Sequence, residues 1–358
     1  MAGGSLLREW DDPLAALAWM SNTWPDPRGR WVGHLNYDLG RLFEAIGPGP
    51  ADLLEIPLFQ FTFCSPAAER SPGPDAHYPK SDAPLRSNFT GAQYESAVGR
   101  AIEYIAAGDL FQVNLSQRFT VGLRHDPAQL YHDLAQHSAA RYAALLSYGD
   151  YALISHSPEL FFAVSPDRRI STRPIKGTRP LLPGMEEQLR DSLKDQAELN
   201  MIVDLERNDL GRVCRIGSVK VVEARAIEAH PGVYHGVATV EGMLREDVTF
   251  VDLLRALFPG GSVTGAPKIR AMQIIDELEP ERRGPYCGAI GYLAADGSMQ
   301  FNIAIRTMIV KDGLVHISVG GGIVADSDRT EEYEETLTKA KAMFSALGIL
   351  LPANSKRD

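Results

Sequence analysis

The stretch TRPIKGTRP, residues 172–180, holds one lysine between two prolines, with two arginines and a glycine beside it. Pro174 and Pro180 restrict the backbone, and Gly177 permits a turn directly after Lys176. A lysine confined near Arg173 and Arg179 can have its charged form disfavoured by burial and by like charge, which is what an amine nucleophile needs. An ammonium that pairs with an acid or faces solvent is the ordinary alternative, and the nonapeptide alone favours it. Glu159, in SPELFF (157–162), stands between a proline and an aromatic run. Burial there would raise its pKa towards general-acid use, with a buried ion pair as the competing reading.

Two segments with helical spacing carry carboxylates. In DQAELNMIVDLERNDLGR (195–212), Met201, Ile202 and Leu205 mark a buried side, while Asp195 and Glu198, three apart, share another face. In ADSDRTEEYEETLTKAKAMF (325–344), Asp328 suits an N-cap with Glu331 at N3, and Glu332, Glu335 and Lys339 fall along one face. Solvated surface charge explains either segment separately. Together, two carboxylate pairs make a hard, oxygen-only donor set suited to Mg²⁺, a cation that keeps waters and is readily completed by an anionic ligand. FPGGSVTGAPKIRAM (258–272) runs from a glycine-rich loop into a helix with Pro267 expected at N1, a junction that seats anions. It lacks the spacing of a phosphate-binding P-loop. SVGGGIVADS (318–327) is a second place where backbone can approach a ligand closely. Arg306 lies within the apolar FNIAIRTMIV (301–310), where a cation needs a partner, either an acid of this chain or a substrate carboxylate.

These residues need elements to place them. Tyr94, Val98, Ile102 and Ile105 recur at helical spacing ahead of Gly108 and an extended LFQVNLSQRFTV. Short strands are expected at YAALLSY, YALISHS, LFFAVS, GAIGYLAA, FNIAIRTMIV and LVHISVGGG, with turns at Asp296-Gly297 and Asp312-Gly313. Helices are expected over 186–210, 249–257, 267–278 and 329–347. Hairpins and helices in separate blocks predict an α+β fold, with antiparallel β-sheets packed together and helices on the outside. The organisation expected is a short amino-terminal region, 1–63, contributing strands to the core; a flexible connection rich in Pro and Ser, 64–88; a catalytic body, 89–350; and a disordered tail, 351–358.

A chain of 358 residues, 44% apolar and 23% charged, has ample material for a large core. Its net charge of −10 argues against nucleic acid or an anionic membrane as the main partner, though a local basic pocket can still bind anions. Cys64, Cys214 and Cys287 are widely spaced and odd in number, which supports neither a disulfide framework nor a zinc site and fits the cytoplasm. No run approaches the ~20 apolar residues of a membrane span.

In order along the chain, SPELFF, RPIKGTRP, AELNMIVDLERNDLGR, FPGGSVTGAPKIRAM, CGAIGYL, IAIRTMIV, GGGIVADS and EYEETLTKAK resemble the successive signatures of the chorismate-utilising enzymes, over about residues 89–350. Within that family the nonapeptide resembles the P-I-K-G-T of the branch that forms 4-amino-4-deoxychorismate, where the anthranilate-forming branch has P-I-A-G-T. Gln112, in LFQVNLS, stands where the water-adding, isochorismate-type members carry a lysine base. The resemblance implies that Lys176 attacks ring carbon 2 of chorismate, that Glu159 protonates the departing 4-hydroxyl, and that ammonia enters at carbon 4. It implies Mg²⁺ held by Glu198 and Glu335 with Asp195 and Glu332 in support. Tyr286 and Arg306 match the family's grip on the enolpyruvyl carboxylate; Gly320, Gly322 and Lys339 match contacts to the ring carboxylate; His235 and Ser262 match polar groups lining the ring. The chain has no room for a glutaminase, so a separate glutamine amidotransferase subunit is expected to supply ammonia, with free ammonia as a substitute. The amino-terminal region is shorter than in typical members, which leaves the first sheet short of strands. SLLREW is a poor match to the family's tryptophan-binding stretch, so tryptophan feedback is not expected. The nearest alternative is the anthranilate-forming branch; a pyridoxal phosphate Schiff base at Lys176 and an inactive docking subunit are more remote.

Overall fold

A computed structural model describes residues 10–65, 78–137, 140–230 and 232–349. Two sheets form its centre. The nine-stranded sheet runs, in spatial order, β10 (Lys220–His230), β11 (Val233–Met243), β8 (Arg169–Arg173), β7 (Leu160–Val164), β14 (Met299–Ile303), β13 (Ala289–Ala294), β1 (Arg30–Leu35) and β2 (Phe59–Cys64), with β9 (Ile175–Pro180) pairing onto β11. The seven-stranded sheet runs β12 (Gly265–Ala266), β4 (Gln112–Gly122), β16 (Leu314–Ile323), β15 (Thr307–Lys311), β6 (Tyr151–Ser157) and β5 (Tyr142–Ser147), with β3 (Arg86–Ser87) pairing onto β4. Every ladder in both sheets is antiparallel. This is the α+β layout expected.

The sheets pack against each other through Ile290 of β13, Tyr151 and Leu153 of β6, Ile309 of β15 and Ala304. Helices cover the other faces. α1 (Pro13–Ser21), α5 (Leu193–Gly211) and α6 (Phe250–Leu257) lie with the larger sheet, while α3 (Pro127–His137) and α8 (Arg329–Ala346) close the smaller one. α2 (Gly91–Ala106) and α7 (Lys268–Leu278) share a third core with β4. Local chemistry starts these helices, at Asp328 where the sequence predicts a cap. Thr90 and Thr249 form capping boxes with Gln93 and Asp252, and the Asp328 carboxylate accepts from the Thr330 and Glu331 amides.

The amino-terminal β1 is paired on both sides, with β13 and β2, so it lies inside the larger sheet. Residues 66–77 of the expected connection, and the expected tail, lie outside the described residues, as does SLLREW up to Trp10. The described end of the connection is pinned: Tyr78 is buried, and its hydroxyl donates to the Tyr151 carbonyl at 3.0 Å. No helix among the described residues is long and apolar enough to cross a membrane.

Three expectations need correction. The single helix over 186–210 is two, α4 (Met185–Asp191) and α5, because Ser192 takes an extended backbone and its hydroxyl accepts from the Asp195 amide. Pro267 is the N-cap of α7, one residue earlier than N1. FNIAIRTMIV is not one strand: β14 ends at Ile303 in one sheet and β15 starts at Thr307 in the other, so Arg306 sits on the crossing between them, at φ +49°. Ser192→Ala is expected to destabilise the fold by about 1 kcal/mol through loss of this cap, measured by urea unfolding.

Candidate active site

Strand β9 delivers Lys176. After it, Gly177 adopts φ +80°, and a Cβ there would come within 2.8 Å of Asp195 Cγ, so the turn needs glycine both for its backbone and for the approach of α5. Lys176 Nζ lies 3.7 Å from Glu198 Oε2, and the two side chains are 12% and 17% exposed. The amine also faces β16: a Cβ on Gly322 would sit 3.0 Å from Nζ and 2.8 Å from Gln112 Nε2. Each of the two arginines of the nonapeptide has a carboxylate partner. Arg173 pairs with Glu228, and Arg179 with Asp195 at 2.9 Å.

Glu159 enters at the start of β7 and is 4% exposed. Its backbone is tied to β14, whose Ile303 amide donates to the Glu159 carbonyl at 3.1 Å. Burial pushes its carboxyl above the usual carboxylate range, opposed by a hydrogen bond with Ser262 and by the charges of Lys176 and Arg306. Ser262 lies on a 3-10 turn, Gly261–Val263, that Arg283 anchors from behind: its guanidinium donates to the Val263 carbonyl at 2.8 Å and to Asn114 of β4 at 2.7 Å, and pairs with Glu279 at 2.6 Å. Arg306 makes no ion pair among the described residues. Burial lowers its pKa, with Glu159 opposing. A guanidinium placed on a crossing between sheets and left without a carboxylate is suited to an incoming carboxylate.

His235 of β11 is 1% exposed, with Nδ1 3.0 Å from the Thr178 hydroxyl. Burial, then Arg306 and His230, lowers its pKa to about 3, so it is neutral at physiological pH. Tyr286 is buried in the main core, and its hydroxyl is engaged with the neighbouring Cys287 thiol. The Cys287 amide bonds to Ala304, two residues before Arg306, so both meet at the same crossing.

The acids of α8 approach β16 from outside. Lys339 Nζ donates to the Gly320 carbonyl at 2.8 Å and pairs with Glu335 at 2.7 Å. A Cβ on Gly321 would sit 2.9 Å from Glu332 Oε2 and 3.8 Å from Glu335 Oε1. Lys339 holds Glu335 below the usual range, with Lys176 acting in the same direction; burial raises Glu332, which accepts from the Ser327 hydroxyl. No group of three or more His, Cys, Asp or Glu side chains among the described residues is disposed to hold a metal ion. Each acid instead has a partner in the chain: Asp195 with Arg179, Glu198 with Lys176, Glu335 with Lys339 and Glu332 with Ser327. The donors nonetheless fit a magnesium ion in kind. All are carboxylates, Lys176 acts on Glu198 and Glu335 alike, and Mg²⁺ needs only one or two carboxylates besides water and substrate.

Gln112, marked in the sequence only by its place in the family resemblance, is fully buried with neither amide atom hydrogen-bonded, beside Lys176 and Gly322. Sequence reasoning missed Arg283, which holds the Ser262 turn, and Glu206 of α5, which is buried against the Thr172 hydroxyl. Neither had a local signal beyond its charge.

The profile of the family described as chorismate binding enzyme matches residues 8–345. The chain is 44% identical over 290 residues to anthranilate synthase component 1 of Pseudomonas putida, covering 79% of this chain and 58% of that one. It is 47% identical over 268 residues to aminodeoxychorismate synthase component 1 of Escherichia coli, covering 73% and 59%. The chain thus spans under two thirds of the length of these relatives. Among solved structures, anthranilate synthase component I from Streptococcus pneumoniae superposes with a TM-score of 0.81 at 34% identity, covering 93% of this chain and 85% of that one.

Burial lowers the pKa of His34, His235 and His316 to about 3, 3 and 4. A depressed folded-state pKa contributes stability above the unfolded value of about 6.5 that is lost as pH falls towards the folded value. Unfolding is therefore expected to take up protons below about pH 6.5. Urea melts across pH 4–7 should show stability falling on acidification, with a slope reduced by about one proton in His235→Gln.

Proposed function

The chain belongs to the chorismate binding enzyme family, and on that premise we propose that it aminates chorismate at ring carbon 4, as the chorismate-handling subunit of an aminodeoxychorismate synthase. The observation that carries this reading is Lys176, in the motif P-I-K-G-T, turned inward between Glu198 and the glycine face of β16. The unpaired Arg306 and the buried Glu159, whose carboxyl burial pushes above the usual range, support it.

The substrate's enolpyruvyl carboxylate binds Arg306, with Tyr286 nearby, and its ring carboxylate is received at Gly320, Gly322 and Lys339. Magnesium held by Glu198 and Glu335, with Asp195 and Glu332 behind them, would supply positive charge at the ring carboxylate. Lys176 Nζ forms a bond to ring carbon 2 as the C4–O bond breaks, and Glu159 gives its proton to the departing hydroxyl, which leaves as water. Ammonia then bonds to carbon 4 and Lys176 is released, giving 4-amino-4-deoxychorismate, the precursor of 4-aminobenzoate and folate. Neutral His235 and Ser262 orient the ring by hydrogen bonds. The designation "component 1" of the relatives favours a partnered subunit, and the chemistry calls for a glutamine amidotransferase as the ammonia source. Action in the cytoplasm is part of this proposal.

Incubating protein, chorismate and Mg²⁺ without ammonia should give, by intact mass, an adduct heavier by chorismate less one water, absent in Lys176→Ala. An adduct that persists in that variant excludes the nucleophile. With ammonia added, rapid formation of fluorescent anthranilate without any added lyase would move the chain to the anthranilate-forming branch. Glu159→Gln should lower kcat by about 10²–10⁴-fold. Glu198→Gln should raise the Mg²⁺ concentration needed for half-maximal rate.

A further inference from the structure

The buried ion pair behind the Ser262 turn joins two sides of the site. Arg283 and Glu279 are both buried. The guanidinium grips both carboxylate oxygens, Nε donating to Oε2 at 2.9 Å and Nη2 to Oε1 at 2.6 Å, a fork-on-fork pairing. Its other two bonds go to backbone on separate elements. Nη1 donates to the Val263 carbonyl at 2.8 Å, in the Gly261–Val263 turn, and Nη2 to the Asn114 carbonyl at 2.7 Å, in β4. Glu279 is tied to the same strand, because its Oε1 accepts from the Ser116 amide and the Ser116 hydroxyl, each at 2.8 Å. The guanidinium also lies over the ring of buried Tyr37, 4.7 Å from its centre.

Each element held in this way leads to groups that the proposed function places against the substrate. The turn carries Ser262, the residue directly before Val263. In β4, Asn114 pairs with Gly322 of β16 and Ser116 with Gly320, the two glycines that receive the ring carboxylate. None of the hydrogen bonds of Arg283 reaches a residue assigned to the substrate. A guanidinium is a rigid, planar fork, so its four bonds fix the turn, β4 and the end of α7, where Glu279 is the C-cap, relative to one another. An ammonium on a flexible stem has one nitrogen and cannot hold two carbonyls and both carboxylate oxygens at once.

We propose that Arg283, locked by Glu279, is a positioning residue that fixes the Ser262 turn against β4, so that the Ser262 hydroxyl meets the substrate ring at a set distance from the Gly320 to Gly322 face. The inference rests on the function proposed above. Arg283 makes no covalent bond and passes no proton; it acts through Ser262. Its loss should therefore cost what the loss of the Ser262 hydroxyl costs, and removing both should cost little more.

Arg283→Lys keeps a positive charge beside Glu279 but removes the fork. Steady-state rates of chorismate consumption with ammonia and Mg²⁺ are the measurement, for the unaltered enzyme, Arg283→Lys, Ser262→Ala and the double variant, each referred to its folded fraction from urea unfolding. Each single variant should lose about 10²-fold in kcat, the scale of a small misplacement at the reacting ring, and keep its KM for chorismate, because Arg306 and Lys339 still hold the two carboxylates. The double variant should also lose about 10²-fold, whereas independent effects would multiply to about 10⁴-fold. Multiplied losses, or an unchanged kcat in either single variant, overturn the positioning role. Should Arg283→Lys fail to fold, Arg283→Met with Glu279→Gln leaves no buried charge unpaired and keeps an acceptor for Ser116; the same pattern with and without Ser262→Ala is expected, and multiplied losses again overturn it. No chorismate turnover by the unaltered enzyme overturns the function and this inference with it, whereas turnover with multiplied losses overturns the positioning role alone.

Discussion

Everything in the candidate site is arranged around one amine kept out of bulk water. Lys176 meets Glu198 at 3.7 Å on one side and the side-chain-free surface of Gly322 on another. A buried ammonium is tolerated only where opposite charge compensates its lost hydration, so β9, which carries the lysine, and α5, which carries the acid, must keep their relative placement. Glycine at 177 lets α5 come close, and the Ser192 break lets α5 start where Asp195 and Glu198 face β9. The lysine's position is thus a property of the contact between a strand and a helix.

Around that amine, carboxyls of the same chemical type are pushed in opposite directions by their surroundings. Burial raises Glu159, Glu206 and Glu332, while the Lys339 ammonium lowers Glu335. Glu159, next to β7, is thus pushed towards holding a proton and Glu335, on α8, towards ionisation, a contrast that suits a reaction needing an acid at one edge of a ring and negative charge to receive a cation at the other. Arg306 completes the asymmetry as a cation whose partner has to come from outside the chain.

Much of this was legible from residue types. The cap at Asp328 follows from a side-chain oxygen two or three residues ahead of free amides. The hairpin at Asp312-Gly313 follows from two successive residues with positive φ. The same logic failed where two sheets compete for one run of residues. FNIAIRTMIV has the composition of a single apolar strand, and nothing local marks Ala304 to Arg306 as a crossing; the crossing exists because β14 pairs with β7 in one sheet while Thr307 pairs with Ser155 of β6 in the other, both partner strands lying more than a hundred residues away. Gln112 was missed as an orphaned amide for a similar reason, since its environment is made by Gly322 and Lys176, both remote in sequence.

By itself the sequence determined the set of reactive groups, their order, the α+β class and the family, because motif chemistry and hairpin turns are local and survive without coordinates. Only the tertiary structure decided which charges meet. It paired Arg173 with Glu228 and Arg179 with Asp195, and it left Arg306 without a carboxylate. The reason is that charge interactions depend on distance and on exclusion of water, and both are set by packing between elements distant in sequence.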